Sequence, residues 1–112
     1  MIESYQFGLI VIDGEKYSSD VIIYSDHVNA NWWRKESHRV EPEDIAEIIK
    51  AKPEILIIGT GEPGLMKVTP AAAKYIRAKG IRLIIEKTRW AWRTYNDLSK
   101  SAQVVGAFHL TC

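Results

Sequence analysis

Ile55-Leu56-Ile57-Ile58-Gly59-Thr60-Gly61, residues 55–61, sets the architecture of the chain. Its first four residues are apolar with no polar alternation, which is typical of a strand in a parallel sheet that is covered on both faces. Helices must therefore pack on both sides of the sheet that contains this strand. The two glycines that follow allow the chain to leave the strand sharply.

The sequence on both sides of this strand alternates between helix and strand patterns. Five more elements are predicted there: a helix that begins at Pro42, a helix capped by Thr69, a strand from Arg82 to Glu86, a helix capped by Thr88, and a final strand from Gln103 to Leu110. Strands that alternate with helices are joined by right-handed crossovers into an α/β sheet.

The first third of the chain shows β patterns instead. Phe7 to Ile12 is a nearly continuous apolar run that ends at Asp13-Gly14, and Val21 to Tyr24 is a second β-branched run. Asp-Gly tolerates the positive φ angles of a tight hairpin turn, so these strands are expected to be antiparallel. The predicted fold class is therefore a three-layer α/β fold. It has a central mixed, mostly parallel sheet flanked by helices, and an N-terminal antiparallel β element.

Length, charge and cysteine content limit the possible classes of protein. With 112 residues the chain is expected to form a single domain over residues 1–112. A formal net charge of +1 disfavours nucleic acid as a partner, and no apolar run reaches the roughly 18–20 residues of a membrane span. The single Cys112 cannot form an intrachain disulfide, so we expect a cytoplasmic protein. Because no membrane span is visible, we also expect no membrane partner.

Residues 59–64 form a Gly-x-Gly-x-x-Gly motif directly after the strand. A dinucleotide site is disfavoured, because Pro63 removes an N–H from the loop and the next helix begins only at Thr69-Pro70. Two interpretations stay open. The glycines can serve turn geometry and close backbone approach alone, or the loop can form an anion pocket at the carboxyl end of the strand. The residues of that pocket would be Gly59, Thr60, Gly61 and Lys67.

The remaining polar residues give no complete catalytic constellation. His27, His38 and His109 share no metal-ligand spacing, so no metal site is expected. A cysteine at the end of a chain is a poorly ordered nucleophile, and we expect Cys112 to be an inert thiol. No general acid, general base or cofactor is therefore assigned.

Four tryptophans lie beside basic residues, in Trp32-Trp33-Arg34 and in Trp90-Ala91-Trp92-Arg93. At about 100° per residue, Trp90 and Trp92 flank the apolar stripe of the last helix on opposite sides. They are expected to pack at the edge of the core or to enter a protein contact, where Trp and Arg are favoured anchors.

Three segments carry a resemblance to a known family: Ile57-Ile58-Gly59-Thr60-Gly61, Thr94-Tyr95-Asn96 and Phe108-His109-Leu110-Thr111-Cys112. Over nearly its whole length the chain resembles the small α/β domain family that contains the adipogenesis-associated domain protein and mitochondrial complex I assembly factor 3. It looks closer to the adipogenesis-associated branch, through Trp33-Arg34, His38 and Lys67-Val68. The resemblance implies a three-layer fold with a mixed sheet. It implies no reaction, because the better-known members look like assembly or regulatory factors.

Two functions are consistent with these observations. The first is a non-catalytic module that acts through contacts with a protein partner or with a second copy of itself, at a surface that carries Trp90 or Trp92. The second is a small-anion site or weak enzyme at the glycine loop, in which Arg34, His38 and His109 join Gly59, Thr60, Gly61 and Lys67. A ligand site predicts a deep pocket where these residues meet, whereas a contact module predicts an exposed apolar patch.

Overall fold

The computed structural model describes all 112 residues of the chain. Its strands are β1 Ile2–Gln6, β2 Leu9–Ile12, β3 Glu15–Tyr17, β4 Val21–Ile23, β5 Val28–Asn29, β6 Arg39–Val40, β7 Ile55–Thr60, β8 Lys67–Val68, β9 Arg82–Glu86 and β10 Val104–His109. Its helices are α1 Ala46–Lys50, α2 Pro70–Ala78 and α3 Thr88–Leu98, and a 3₁₀ helix over Pro42–Ile45 precedes α1.

The central sheet has the strand order β5-β4-β10-β7-β9. β10 and β9 pair parallel with β7, whereas β4 pairs antiparallel with β10 and β5 antiparallel with β4. The predicted mixed sheet is thus confirmed. Its parallel share is smaller than expected, because the early strand β4 joins the central sheet beside β10 instead of joining the N-terminal hairpin.

Two apolar layers cover this sheet. On one face, α1 and α2 pack their buried residues Ile48, Ala72 and Ile76 against Leu56 and Ile58. On the other face lie α3 and the N-terminal sheet, whose buried side chains meet Ile55 and Ile57. All six residues of β7 are buried, as its unbroken apolar run predicts. The helices cover both faces of the sheet, and the three-layer prediction is confirmed.

The N-terminal antiparallel element is a separate sheet in the order β1-β2-β3. Asp13 and Gly14 connect β2 to β3 with φ angles of +49° and +82°, the pair of positive values that a tight hairpin turn of this kind requires. The predicted hairpin turn is therefore confirmed at these residues.

The predicted caps of two helices have different outcomes. Thr69 caps α2, because its hydroxyl accepts a hydrogen bond from the Ala72 N–H at 3.1 Å. The prediction that Thr88 caps α3 is wrong: Lys87 occupies the N-cap position without a side-chain hydrogen bond. The Thr88 hydroxyl instead forms hydrogen bonds with Gly61 and His109. None of the helices has the length and apolar character that crossing a membrane requires.

Asn96 attaches the N-terminal sheet to α3. Its side-chain oxygen accepts a hydrogen bond from the Ile2 N–H at 3.0 Å, and its amide nitrogen donates to the Ile2 carbonyl at 2.7 Å. This pair of bonds satisfies both backbone groups of Ile2, whose side chain is buried in the core. The asparagine of the Tyr95-Asn96 pair thus has a structural role in joining the N-terminal sheet to α3.

Replacing Asn96 by Ala should lower the free energy of unfolding by about 2 kcal/mol, because it leaves the two backbone groups of Ile2 without partners. Urea unfolding measures this loss, and amide exchange should show faster opening at Ile2. Asp97→Ala is the matched control, since Asp97 is one position further along α3 and forms no side-chain ion pair. Equal losses for the two variants would contradict the assigned role of Asn96.

Candidate functional site

The carboxyl ends of β7 and β10 lie side by side, with Thr60 opposite His109 in the parallel register. Beyond β10, the C-terminal residues 110–112 run along the loop that follows β7. Open α/β sheets commonly bind ligands at this edge. The sequence placed its candidate residues here, and the structure shows what each of them contacts.

Four backbone N–H groups between residues 61 and 66 are occupied by bonds within the chain. The Gly61 N–H donates to the Thr88 hydroxyl at 2.8 Å. Three further loop amides donate to backbone carbonyls: Glu62 to Thr111 at 2.9 Å, Leu65 to Cys112 at 3.2 Å, and Met66 to Thr60 at 3.3 Å. A phosphate cradle needs such amides to be free, so the hydrogen bonding of this loop is that of a closed turn.

The glycines of the loop make room for neighbouring parts of the same chain. A Cβ atom on Gly59 would lie 2.8 Å from the Thr88 hydroxyl, and one on Gly61 would overlap the Thr111 carbonyl oxygen. Gly61 also has a φ of +89°, which side-chain-bearing residues rarely adopt. Close backbone approach and turn geometry therefore account for Gly59 and Gly61. Their prediction as ligand-binding residues is not tested by these contacts.

Gly61→Ala should destabilise the protein much more than Gly80→Ala. Both glycines have positive φ, +89° and +76°, but a Cβ on Gly80 meets nothing within 4 Å. Gly80→Ala should therefore cost about 1 kcal/mol for backbone strain alone. Gly61→Ala should cost about 2 kcal/mol more, from the clash with Thr111. Thermal unfolding of both variants tests this, and equal losses would refute the packing role of Gly61.

Thr88 joins three segments at this edge. Its hydroxyl accepts the hydrogen bond from Gly61 and donates to the carbonyl of His109 at 2.6 Å. The start of α3 is thereby attached to the ends of both β7 and β10. The residue is fully buried, and this use of its hydroxyl explains why it does not cap the helix.

A buried polar cluster lies beside the loop, formed by Asp20, Arg34 and His109. One oxygen of the Asp20 carboxylate, Oδ2, is 2.7 Å from Arg34 Nη2 and 2.8 Å from His109 Nδ1. The other oxygen, Oδ1, accepts the Leu110 N–H at 2.8 Å. Only 3% of the Arg34 side chain and 5% of the His109 side chain are exposed, so this carboxylate is the largely buried counter-charge beside both.

The charges of the cluster follow from these contacts. Burial opposes ionisation of Asp20, but hydrogen bonds from His109, the Leu110 N–H and Arg34 outweigh it and hold the pKa of this carboxyl below its ordinary value. An ionised carboxylate can only accept, so the proton of the His109–Asp20 bond sits on Nδ1. This fixes the orientation of the imidazole ring.

The loop before β6 is held by the same cluster. The Arg34 guanidinium donates to the Ser37 carbonyl through Nη2 at 2.7 Å and lies 4.5 Å from the centre of the buried Trp32 ring. The backbone N–H of Trp32 donates to the Asp20 carbonyl at 2.8 Å. Arg34 Nη1 and His109 Nε2 are buried with no hydrogen-bond partner.

The predicted polar residues converge only in part. Arg34 and His109 are neighbours, and the His38 ring packs edge-on against His109 with centroids 5.5 Å apart. Lys67 meets this group through its backbone alone, because its N–H donates to the His38 carbonyl while its side chain is exposed. No group of three or more His, Cys, Asp or Glu side chains is arranged to hold a metal ion.

Two residues of the site were missed by sequence reasoning. Asp20 carries no predicted role, and the role predicted for Thr88 is that of a helix cap. Asp20 accepts bonds from residues that are 14 to 90 positions away, so no local pattern marks it. Its place directly before the buried strand β4 is the one available signal.

Asp20→Asn should lower the free energy of unfolding by about 3 kcal/mol at neutral pH, because it leaves the buried Arg34 without its counter-charge. Because the pKa of Asp20 is lower in the folded than in the unfolded protein, its carboxylate stabilises the fold above about pH 4. This stabilisation is lost as the pH falls further. The difference between wild type and variant should therefore shrink below about pH 4 in urea unfolding curves.

Asp13→Asn is the control for this prediction. Asp13 forms an exposed ion pair with the N-terminal amine, and such pairs contribute at most about 1 kcal/mol. Asn also tolerates the positive φ at this position. If Asp20→Asn destabilised no more than Asp13→Asn, the central role of the Asp20 carboxylate would be refuted.

Exposed apolar side chains surround the same edge. We define the carboxyl-edge patch as Phe7, Trp33, Leu65 and Trp90, which are 50–72% exposed. Three of them either bond to the end of β10 or to the segment that follows it, or are next to a residue that does; Trp90 is linked to that segment through one further residue. Gly8 donates to the Leu110 carbonyl, Leu65 itself donates to Cys112, and Arg34 contacts His109. Arg89, which precedes Trp90, is paired with Glu62, whose N–H donates to Thr111.

The second predicted contact residue of α3, Trp92, lies differently. Its ring is half-buried against the core cluster below α3, with the Arg93 guanidinium 5.2 Å from the ring centre. Trp90 is 52% exposed, with the Arg89 guanidinium 5.8 Å from its ring centre, so of the two it is the more accessible aromatic side chain.

The largest cavity lies at the opposite end of the sheet. It has a volume of about 430 Å³ and includes residues near the amino ends of β7 and β10, among them Pro53, Gln103 and Val104. None of the three main cavities is lined by residues 59–64. These three cavities therefore lie away from the glycine loop.

Comparison with protein families gives one match over most of the chain. The model of a family described as a protein of unknown function, DUF498/DUF598, matches residues 2–109. The chain belongs to the DUF498/DUF598 family. Every strand and helix described above, from β1 to the end of β10, lies within the matched part of this family member.

Solved structures share the fold of this DUF498/DUF598 protein. A conserved hypothetical protein of Pyrococcus horikoshii is 24% identical with a TM-score of 0.87, and the match covers 100% of this chain and 99% of that one. MT938 is 25% identical with a TM-score of 0.84, covering 100% and 98%. A Bordetella pertussis protein described as a Mth938-like domain is 20% identical with a TM-score of 0.69, covering 98% and 85%. These similarities confirm the fold class.

Proposed function

We propose that this protein is a non-catalytic contact module of the cytoplasm, which binds an apolar segment of a partner protein at the carboxyl-edge patch. The observation that carries the proposal is that four large apolar side chains are exposed around one edge of the sheet. Exposed apolar surface marks protein contacts, and aromatic side chains supply most of their binding energy.

Charges near the patch specify the chemistry of the partner. Lys35, Lys67 and Lys87 lie within three positions of Trp33, Leu65 and Trp90, respectively. None of the three forms an ion pair, whereas Glu62 is already paired with Arg89. A partner segment with carboxylates beside its apolar residues would complement this rim.

The resemblance of Phe108 to Cys112 and of Tyr95-Asn96 to the adipogenesis-associated branch supports the same proposal. Members of that wider family look like assembly or regulatory factors that act through protein contacts. The single free Cys112 is compatible with a reducing compartment. Membership in this branch is part of the proposal.

The alternative function, a small-anion site at the glycine loop, has less geometric support. The loop amides of Gly61, Glu62, Leu65 and Met66 already donate within the chain, and Pro63 has no N–H to offer. The observation in its favour is the pair of buried nitrogens without partners, Arg34 Nη1 and His109 Nε2. These atoms are reached only if the chain around them opens.

Selection of a displayed random peptide library on the immobilised protein tests the contact function. Enriched peptides should combine Trp, Phe or Leu with Asp or Glu, and their binding should weaken with added salt. The double substitution Leu65→Ser and Trp90→Ser should raise their dissociation constants about 30-fold, which corresponds to a loss of about 2 kcal/mol for the two anchors together. Fluorescence anisotropy measures the change.

Ile85→Ser is the matched control, because Ile85 is also an exposed apolar residue, 43% accessible, but lies on β9 outside the patch. It should leave peptide binding unchanged. Peptides that bind the double variant as tightly as the wild type, or a library that enriches no apolar and acidic combination, would refute the proposed surface.

A further inference from the structure

β9 forms an open edge of the central sheet. It pairs with β7 on one side and has no strand on the other. Its residue Ile85 is 43% exposed, and the strand contains no proline or lysine of the kind that commonly protects an edge. An apolar edge strand of five residues with free backbone groups is a template for pairing with another strand.

Hydrogen bonding within the sheet shows which groups of β9 face outward. The Arg82 N–H donates to the Glu54 carbonyl, and the Glu86 carbonyl accepts from the Thr60 hydroxyl, so both residues direct backbone groups toward β7. Because backbone groups alternate along a strand, those of Leu83 and Ile85 point to the open side. No loop amide or carbonyl bonds to them.

The sequence of β9, Arg-Leu-Ile-Ile-Glu, is complementary to itself when it is reversed. We propose that β9 pairs antiparallel with β9 of a second copy of the chain, with Ile84 opposite Ile84 at the two-fold axis. Arg82 then lies opposite Glu86 of the second copy at both ends of the pair. Leu83 lies opposite Ile85 of the second copy.

This register is consistent with the direction of the backbone groups of β9 and with the face of the sheet on which each side chain lies. Leu83 and Ile85, whose backbone groups face outward, become the hydrogen-bonded pair, while Ile84 and the two charge pairs occupy the closer non-hydrogen-bonded positions. Leu83 packs in the α2 layer and Ile84 in the α3 layer, so each meets a residue of the same layer in the second copy. The two sheets join into one, with the helical layers kept.

The opposite charges of Arg82 and Glu86 at the two ends of β9 favour a second copy of the chain as the partner of this edge. Opposite charges directly across an antiparallel pair are stabilising and like charges are destabilising, so the register centred on Ile84 is the favoured one. A five-residue edge buries little area, so the dimer is expected to be weak and concentration-dependent.

Sedimentation velocity across protein concentrations of about 10 μM to 1 mM tests the proposal, since interfaces of this size dissociate in that range. The wild type should dimerise reversibly. Ile85→Lys places a charge near the centre of the edge and should raise the dissociation constant at least about tenfold. Lys16→Glu, on the exposed strand β3, is the control and should leave it unchanged.

A charge-reversal pair tests the register. Arg82→Glu alone places Glu opposite Glu86, and Glu86→Arg alone places Arg opposite Arg82, so each variant should dimerise at least about tenfold more weakly than the wild type. Mixed together, the two variants restore opposite charges at both ends and should form a heterodimer with nearly wild-type affinity. Circular dichroism checks that each variant is folded, and Ile85→Lys gives an independent readout should Glu86→Arg not fold.

Three outcomes would overturn the proposal: a wild type that stays monomeric throughout, a dimer that tolerates Ile85→Lys, or a mixture of the charge variants that does not associate. The proposal is independent of the contact function. Ile85→Lys should remove self-association and leave peptide binding at the patch unchanged. The double variant Leu65→Ser and Trp90→Ser should weaken peptide binding and leave self-association unchanged. A dimer that is lost only with the patch variant would place self-association at the patch and refute pairing through β9.

Discussion

The ionised carboxylate of Asp20 holds together the arrangement at the carboxyl edge of the sheet. It is the counter-charge of a guanidinium that is almost fully buried, and it orients the imidazole of His109. It also accepts the first backbone N–H beyond β10. Buried cations are tolerated only with such a partner, so Asp20, Arg34 and His109 must be placed together for the edge to fold.

A second set of contacts closes the edge around this cluster. Gly59 and Gly61 lack side chains where Thr88 and Thr111 approach, and the Thr88 hydroxyl bonds to both neighbouring strand ends. The loop that looked like a phosphate cradle therefore packs against its own chain. What remains accessible at this edge is the outer, apolar part of the surface, and this favours contact with a protein over enclosure of a small molecule.

The two proposed surfaces, the carboxyl-edge patch and the open edge of β9, recognise their partners in different ways. The carboxyl-edge patch presents aromatic and aliphatic side chains with lysines around them, whereas β9 presents backbone groups and a self-complementary charge pattern. Side-chain anchors recognise a specific partner, and edge pairing recognises a strand of matching register. A dimer through β9 would carry two patches, which increases the effective affinity for a partner with two binding segments.

Local patterns in the amino-acid sequence were enough to predict the layers and the order of the central elements. Apolar runs such as Ile55 to Ile58 and the helical stripes depend on local periodicity, which translates directly into burial on a face. The folded chain was needed to show that β4 joins β10, that Asp20 is the partner of Arg34 and His109, and that Thr88 bonds to two strand ends instead of capping a helix. The physical reason is that hydrogen bonds and ion pairs in the core join residues far apart in the chain, and polar side chains carry no periodic signal of where their partners lie.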